Sequence, residues 1–291
     1  PDMLVHEDER VSRVNDVMGI IKKGTWLVSG DQNKANLEQM EALTEKQGGQ
    51  WAMPIRKLAP LSYPYEQLHG RCAALAERIA HMYIEHYYNK NVTVTADSLL
   101  SRKKSKRGRP TLEEKRKSEL KPRKTVEQFW KEEFNELPGR FQILKKEQPT
   151  ILLDTASNLD AFENTLLGIR LLQYKQPLKG LVIIMAASSG AIYGDEFLKL
   201  LRYFFKKTSG QILICPIESP IPGVLEESSW NVEKVTNDIK SMKVKARACK
   251  SFIEAFEIAQ QSVDEREGLI CITGSHSIVS TYYAHKGIKK F

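Results

Sequence analysis

The residues of this chain whose types and spacing could bind a small molecule follow one apolar run. Ile151-Leu-Leu ends in Asp154, and Thr155-Ala-Ser-Asn158 then leads into an amphipathic segment. Ligands of parallel sheets bind beyond the carboxyl ends of the strands, where a carboxylate such as Asp154 can accept hydrogen bonds from a ribose hydroxyl. The amino end of the following helix attracts phosphate. The simpler interpretation is that Asp154 and Asn158 form only the turn and the cap of that helix.

One arginine lies at the entrance to the same region. Leu137-Pro-Gly-Arg140-Phe141 predicts a tight turn that carries this side chain. An arginine in such a turn can bind a phosphate through two parallel hydrogen bonds, and it pairs as often with a nearby carboxylate. The predicted cofactor-binding residues are therefore Arg140, Asp154 and Asn158, with no residue assigned to catalysis and none to a metal.

A second chemical feature is a short, strongly basic segment. The chain has 291 residues with 44 Lys+Arg and 36 Asp+Glu, a net charge of +8. Residues 101–124 contain twelve of the basic residues and only three of the acids, a net charge of +9, so the other 267 residues carry 32 basic and 33 acidic side chains. The excess positive charge is therefore confined to one segment.

The basic segment predicts a contact with nucleic acid. It contains Arg107-Gly-Arg-Pro110, which resembles the core of an AT-hook, although any phosphate backbone could neutralise the charge. An acidic protein partner, a helix that rests on its own domain, a solvated linker and a targeting signal are the alternatives. The predicted nucleic-acid-binding residues are Arg102, Lys103, Lys104, Lys106, Arg107, Arg109, Lys115, Arg116 and Lys117.

The remaining sequence supplies elements that could position these residues. Apolar runs of strand length occur at 151–154, 181–185, 211–215 and 269–273, separated by amphipathic segments at 159–174, 195–207, 232–242 and 251–263. Strands without polar alternation, separated by helices, indicate a parallel sheet covered on both faces. The predicted fold class is thus α/β, with a Rossmann-like three-layer domain at 137–291 and a mostly parallel sheet.

The first part of the chain predicts a separate, smaller α/β unit. A helix followed by a strand is expected before Gly30, and a second helix at 36–47. A third helix should bury one face that is formed by Leu68, Cys72, Leu75, Ala76, Ile79, Met82 and Tyr83. We therefore expect a partial α/β domain at 1–95, a basic linker or insert at 96–136, and the larger domain after it.

Composition and cysteine usage exclude several classes of protein. No run approaches the roughly 18 consecutive apolar residues of a membrane span, so no membrane contact is predicted. The four cysteines lie far apart without zinc-ligand spacing and are expected to be reduced core residues. This favours a reducing compartment, with an organelle matrix preferred over cytoplasm or nucleus. Ser275 and His276 are expected only to close the last strand.

Several motifs together resemble the folylpolyglutamate synthases of the Mur ligase superfamily. Leu137-Pro-Gly-Arg-Phe, Ile151-Leu-Leu-Asp-Thr-Ala-Ser-Asn and Leu269-Ile-Cys-Ile-Thr-Gly-Ser follow one another as in the C-terminal domain of that family. Upstream, Asp16–Gly30 and Gly70–Ala76 are similar to segments near the end of its central ATPase domain. The resemblance implies a partial Mur-ligase central domain followed by the complete C-terminal domain, with Arg140 and Asp154 in the phosphate and ribose positions.

The sequence departs from that family where the family places functional groups. Val17 stands where a functional lysine is expected, Cys72 replaces an asparagine that faces the nucleotide, and Thr155 and Ser157 replace a glycine and a histidine. The family uses ATP, with Mg²⁺, to convert a folate carboxylate to an acyl phosphate, from which the amine of glutamate then displaces phosphate. No GxxxxGK[ST] phosphate loop for this chemistry occurs in this chain.

These departures predict a non-catalytic relative without cofactor that serves as a scaffold. Its expected partners are nucleic acid, protein subunits of a larger assembly, or both. The alternative is an active ATP-dependent folate ligase whose phosphate loop precedes Pro1, in which case ATP and Mg²⁺ are its cofactors.

Overall fold

A computed structural model of the chain forms two compact units, Met3–Glu132 and Glu133–Phe291. The residues that the structure describes are 7–52, 58–88, 137–144, 146–187, 192–218 and 230–288. The predicted basic insert at 96–136 lies outside the described residues, so the three-part division remains a prediction.

The first unit is a small α/β assembly. Its elements are α1 (Glu7–Met18), β1 (Trp26–Leu27), α2 (Lys34–Lys46), β2 (Gln50–Trp51) and α3 (Tyr65–Tyr83), which continues into a π-helical turn at Ile84–Tyr88. The two short strands pair in parallel. Val14, Met18 and Ile21 form a small core against Leu27 and α2.

The buried face of α3 differs in part from the predicted one: Met82 is buried as expected, but the rest of the face is shifted. Cys72, Ile79 and Tyr83 are exposed, whereas Gly70 and Ala73 are buried. A Cβ atom on Gly70 would lie 3.0 Å from Leu58 Cβ, and the Gly70 carbonyl accepts a hydrogen bond from the backbone N–H of Ala59. The small side chains of Gly70 and Ala73 let the segment with Leu58 and Ala59 approach α3 closely. The face with these small residues is therefore buried in place of the face with the larger apolar residues.

The second unit contains a six-stranded sheet. Its strands are β3 (Gln142–Leu144), β4 (Thr150–Leu153), β5 (Leu181–Met185), β6 (Gln211–Ile214), β7 (Ala246–Ala248) and β8 (Leu269–Thr273). They lie in the order β3-β4-β8-β5-β6-β7, and all neighbours are parallel except β3 and β4. The predicted α/β class with a mostly parallel sheet is confirmed.

Five helices within the described residues cover the two faces of this sheet. They are α4 (Leu159–Lys175), α5 (Asp195–Lys207), α6 (Val232–Ser241), α7 (Phe252–Ser262) and α8 (His276–His285). Right-handed crossovers that progress from β4 to β7 place α4, α5 and α6 on one face. The return from β7 to β8 reverses direction, so α7 packs on the opposite face beside α8.

The last helix was not predicted. Ser275 does not simply close β8, because its hydroxyl accepts a hydrogen bond from the backbone N–H of Ile278, and α8 begins at His276. Ser275 is thus an N-cap, a role that serine performs well because its short side chain reaches the free N–H groups of the first turn.

The sheet interior is apolar on both sides. Ile270 and Ile272 belong to the core shared with α7 and α8, whereas the alternate residue Cys271 points to the α4–α6 face. Every residue of β5 and β8 is buried. Coverage of both faces explains why these strands read as continuous apolar runs.

Replacement of Cys271 by serine should destabilise the second unit by about 1–3 kcal/mol, because a hydroxyl would enter a fully buried position in the central strand. The matched change Cys72→Ser lies at an exposed position and should stay within about 0.5 kcal/mol of the native protein. Urea denaturation followed by circular dichroism measures both, and equal effects of the two changes would contradict the assigned position of β8.

Candidate functional site

The connections of the sheet change direction between β4 and β8, at its carboxyl edge. The chain leaves β4 towards α4 on one face and leaves β8 towards α8 on the other. Neighbouring strands whose connections diverge in this way open a cleft, which is the usual ligand position in such sheets. Asp154 follows β4 and Gly274 follows β8, so both predicted motifs reach this edge.

The Pro-Gly-Arg turn packs against the end of β4. Gly139 has φ +64°, and a Cβ atom there would lie 2.6 Å from Thr155 Cγ2. The Gly139 carbonyl accepts a hydrogen bond from the Thr155 backbone N–H at 2.8 Å. Phe141 also has a positive φ of +48° and is almost fully buried. Burial of the Phe141 ring holds this unfavourable backbone conformation in place.

Asp154 fastens that turn to the sheet. Its carboxylate accepts a hydrogen bond from the Phe141 backbone N–H at 3.0 Å, and its own N–H donates to the Ile272 carbonyl of β8. Burial raises the pKa of Asp154 to about 6, although hydrogen bonds from the Phe141 and Ala156 N–H groups and the charge of Arg140 act in the opposite direction. A carboxylate that is costly to ionise therefore lies at the cleft.

The structure brings two of the three predicted residues together. Arg140 is exposed and close enough to Asp154 for its charge to lower that pKa. Asn158 instead caps α4, because its Oδ1 accepts a hydrogen bond from the Ala161 N–H at 2.9 Å. The interpretation of Asn158 as a helix cap thus describes its contacts, while a ligand role for the three residues remains a prediction.

Gln142 is a contact of the site that sequence reasoning missed. Its Oε1 accepts hydrogen bonds from the Gly139 N–H and from the Tyr283 hydroxyl of α8. The side chain therefore ties the turn to the helix that follows β8. Because Gln142 and Tyr283 are 141 residues apart, no local sequence pattern could have revealed the contact.

Two buried threonines also line this edge. Thr155 follows β4, and Thr273 ends β8 beside Asp154 in the register of the sheet. Their hydroxyl oxygens are buried and have no hydrogen-bond partner among the residues that the structure describes. Such groups are costly when unpaired, so they are available to a bound water or ligand.

Gly274 is required by the close packing of β8 and β5. It has φ +111°, and a Cβ atom there would lie 2.6 Å from the Ala186 carbonyl oxygen. The glycine of the Thr-Gly-Ser motif thus has a structural role that is independent of any ligand.

The other candidates give no site within the described residues. No group of three or more His, Cys, Asp or Glu side chains there could hold a metal ion. No helix in these ranges is long and apolar enough to cross a bilayer. The nine predicted nucleic-acid-binding residues, from Arg102 to Lys117, lie outside the described part of the chain.

Comparison with solved structures identifies the fold. No family model matches the chain, and no curated protein matches its sequence. The bifunctional folylpolyglutamate synthase/dihydrofolate synthase from Yersinia pestis, complexed with AMPPNP and Mn ion, superimposes with a TM-score of 0.57 at 18% identity over 99% of this chain. FolC from Escherichia coli with ADP gives 0.59 at 14% over 99%, and folylpolyglutamate synthase from Thermotoga maritima gives 0.54 at 14% over 97%.

This chain spans only part of those proteins. It covers 58% of the Yersinia pestis and Escherichia coli chains and 59% of the Thermotoga maritima chain. The fold expected from the sequence motifs is therefore confirmed: the chain has the fold of folylpolyglutamate synthases, and its six-stranded unit corresponds to their C-terminal domain.

The raised pKa of Asp154 predicts a pH-dependent stability. Because the folded-state pKa of about 6 lies above the ordinary 3.8, the folded protein holds this proton more tightly than the unfolded chain does. The resulting stabilisation is present below about pH 4 and is lost as the pH rises through 6. Asp154→Asn lacks this titration, so its stability relative to the native protein should increase by up to about 3 kcal/mol between pH 4 and pH 7.

Urea denaturation at a series of pH values measures this difference. Glu163→Gln is the control, because Glu163 is an exposed carboxylate on α4 of the same unit. Parallel stability curves for Asp154→Asn and the native protein would show that Asp154 is not buried as described.

Proposed function

We propose that this chain is a folylpolyglutamate-synthase-like protein without ligation chemistry, which acts as a scaffold subunit in a nucleoprotein assembly. Its basic segment at 101–124 contacts the nucleic acid. The observation that carries the first part of the proposal is the exposure of Val17, Cys72 and Ser157, the three departures at which a charged or polar group of the ligase pattern is lost.

These positions lie on the protein surface. Val17 of α1 is 60% exposed, Cys72 of α3 is exposed, and so is Ser157 before α4. Substitutions at exposed positions usually change stability by less than about 0.5 kcal/mol. Lysine, asparagine and histidine would therefore fit here at little cost. Because packing does not exclude these groups, their replacement supports a loss of the need for them.

Most motif residues that are retained make structural contacts within the fold. Gly139 and Gly274 permit close backbone contacts, Asp154 holds the Phe141 N–H, and Asn158 caps α4. Each of these would be retained by a protein that binds no nucleotide. Most retained members of the motifs thus have a structural role, and the three lost charged or polar groups are exposed, which favours a retained scaffold over a retained enzyme. Two residues do not follow this pattern: Arg140 is exposed and retained, and Thr155 is buried and changed.

A second function is favoured by one specific observation. The Asp154 carboxylate, whose pKa is raised by burial, lies at the carboxyl edge of the sheet with Thr155 and Thr273. The hydroxyl groups of both threonines have no hydrogen-bond partner among the described residues. These groups would suit a nucleotide, and the solved structures that share the fold include proteins complexed with AMPPNP or ADP. The alternative proposal is an ATP-dependent folate ligase whose phosphate loop belongs to a part of the protein outside this chain.

Nucleotide turnover distinguishes the two proposals. The full-length protein, incubated with ATP, Mg²⁺, a reduced folate and glutamate, should release no more ADP than a protein-free sample. The Escherichia coli enzyme serves as the positive control. The variant V17K/C72N/S157H should melt within about 2 °C of the native protein, because all three positions are exposed. Release of ADP that requires both folate and glutamate would establish the ligase instead.

The nucleic-acid role rests on charge density. A net charge of +9 in 24 residues, set against −1 in the remaining 267, concentrates the whole excess at one place. Binding of cationic segments to phosphate releases condensed counterions and gives an affinity that falls steeply with salt. A nucleoprotein partner therefore explains why this charge is not distributed over the surface.

Replacement of the six basic residues at 102–109 by glutamine should remove most of the affinity for nucleic acid. The slope of log affinity against log salt should decrease by about 4 for a single strand if all six contact phosphates. Fluorescence anisotropy with a labelled 20-nucleotide RNA at 50 to 200 mM salt measures both. The control replaces six exposed basic residues elsewhere, Lys22, Lys23, Lys34, Lys46, Arg78 and Lys234. Equal losses in the two variants would mean that only net charge matters.

A further inference from the structure

A second basic surface lies on the helical layer of the six-stranded unit. α4 and α5 both begin at the carboxyl edge of the sheet and end at its amino edge, so their last turns lie side by side. We name this the amino-edge surface and define it by Arg170, Tyr174 and Lys175 of α4 and by Tyr203, Lys206 and Lys207 of α5.

The amino-edge surface has no acidic residue in its own segments. No Asp or Glu occurs in 164–194 or in 197–217. The preceding acid on α4 is Glu163, two helical turns or about 10 Å before Arg170, a distance comparable to the Debye length at 0.1 M salt. On α5 the preceding acid, Glu196, is bonded to Lys199 at 2.8 Å. The charges of Lys206 and Lys207 are therefore not offset by a neighbouring carboxylate of these helices.

Cations and aromatic rings alternate on this surface. The Arg170 guanidinium lies 4.8 Å from the centre of the Tyr203 ring, and its Nη2 donates to the Tyr203 carbonyl. Lys207 Nζ lies 4.9 Å from the same ring centre and donates to the Tyr203 hydroxyl. Lys207 and Arg170 together lower the pKa of Tyr203. The Tyr203 side chain thus lies between two positive charges at the solvent-exposed surface. Its contacts hold Arg170 and Lys207 next to its ring.

Tyr174 presents an aromatic ring that the fold does not use. It is 90% exposed, one helical turn after Arg170, and Tyr203 is 52% exposed. Helix electrostatics explain lysines near a helix carboxyl end, because cations there are stabilised by the helix dipole. They do not explain two exposed tyrosines among those cations. Aromatic rings between phosphate-binding cations are the usual surface on which unpaired bases stack.

We propose that the amino-edge surface binds single-stranded nucleic acid, with the lysines and Arg170 on the phosphates and Tyr174 stacked on a base. A duplex hides the faces of its bases, so it would gain from the cations but not from the tyrosine. The inference goes beyond the proposed function, because it concerns described residues that are separate in sequence from the 101–124 segment.

The test uses the full chain and a labelled mixed-sequence 20-nucleotide RNA, single-stranded or annealed to its complement. The charge variant is K175Q/K206Q/K207Q, and the stacking variant is Tyr174→Ser. The matched control K22Q/K23Q/K46Q removes three exposed lysines of the first unit. All of these positions are exposed, so circular dichroism melting curves should coincide with that of the native protein.

The charge variant should bind the single strand at least about ten-fold more weakly at 0.1 M salt, with a salt slope lower by about 2. Tyr174→Ser should weaken single-strand binding about five-fold or more and change duplex binding less than about two-fold. If the charge variant binds the single strand as tightly as the control variant does, the proposal is overturned. The same result is expected if the surface instead binds an acidic protein. Equal losses for duplex and single strand after Tyr174→Ser overturn the stacking contact.

The 102–109 variant separates this inference from the proposed function. Loss of binding in that variant alone leaves the basic segment as the nucleic-acid contact and refutes the amino-edge surface. Loss in K175Q/K206Q/K207Q alone has the opposite meaning. Losses in both, with additive free energies in the combined variant, support two independent contacts with the same strand.

Discussion

The attachment of the Gly139–Phe141 turn to the end of β4 is the contact on which the carboxyl edge of the sheet depends. Two hydrogen bonds make it, from the Phe141 N–H to the Asp154 carboxylate and from the Thr155 N–H to the Gly139 carbonyl. They fix the entrance to the six-stranded unit, start β3 in register with β4, and place Gln142 where it can reach Tyr283. Because one of the bonds is accepted by a mostly buried ionisable side chain, the geometry of the edge is linked to the charge of Asp154, which burial disfavours.

That linkage bears on which motif residues the fold alone would preserve. A residue such as Asp154 serves both the backbone of the turn and any ligand of the cleft, so selection for the fold alone preserves it. Exposed positions such as Val17 and Ser157 serve no contact in the core and are free to change. A partly preserved motif is the pattern that selection for the fold alone would leave.

The sequence predicts the fold best where strands are buried on both faces. β5 and β8 are buried on both faces, so their apolar runs and the amphipathic helices beside them could be placed within a residue or two. β7 was missed because Ala246-Arg-Ala248 is a short edge strand with partial exposure, and α8 was missed because its start depends on the Ser275 cap. At the site, the strand end predicts the position of Asp154 and the Pro-Gly turn predicts that of Arg140, and the structure places them near each other. Gln142 and the unpaired threonines depend on long-range register, which local patterns do not encode.

The position of β8 has a consequence for how the six-stranded unit forms. It is the last strand of the unit along the chain, yet it lies between β4 and β5 and pairs with both. During synthesis on the ribosome, β4 and β5 therefore emerge without the strand that joins them and present unpaired apolar edges until residues 269–273 follow. The centre of the sheet therefore cannot form until the last part of the unit has been synthesised.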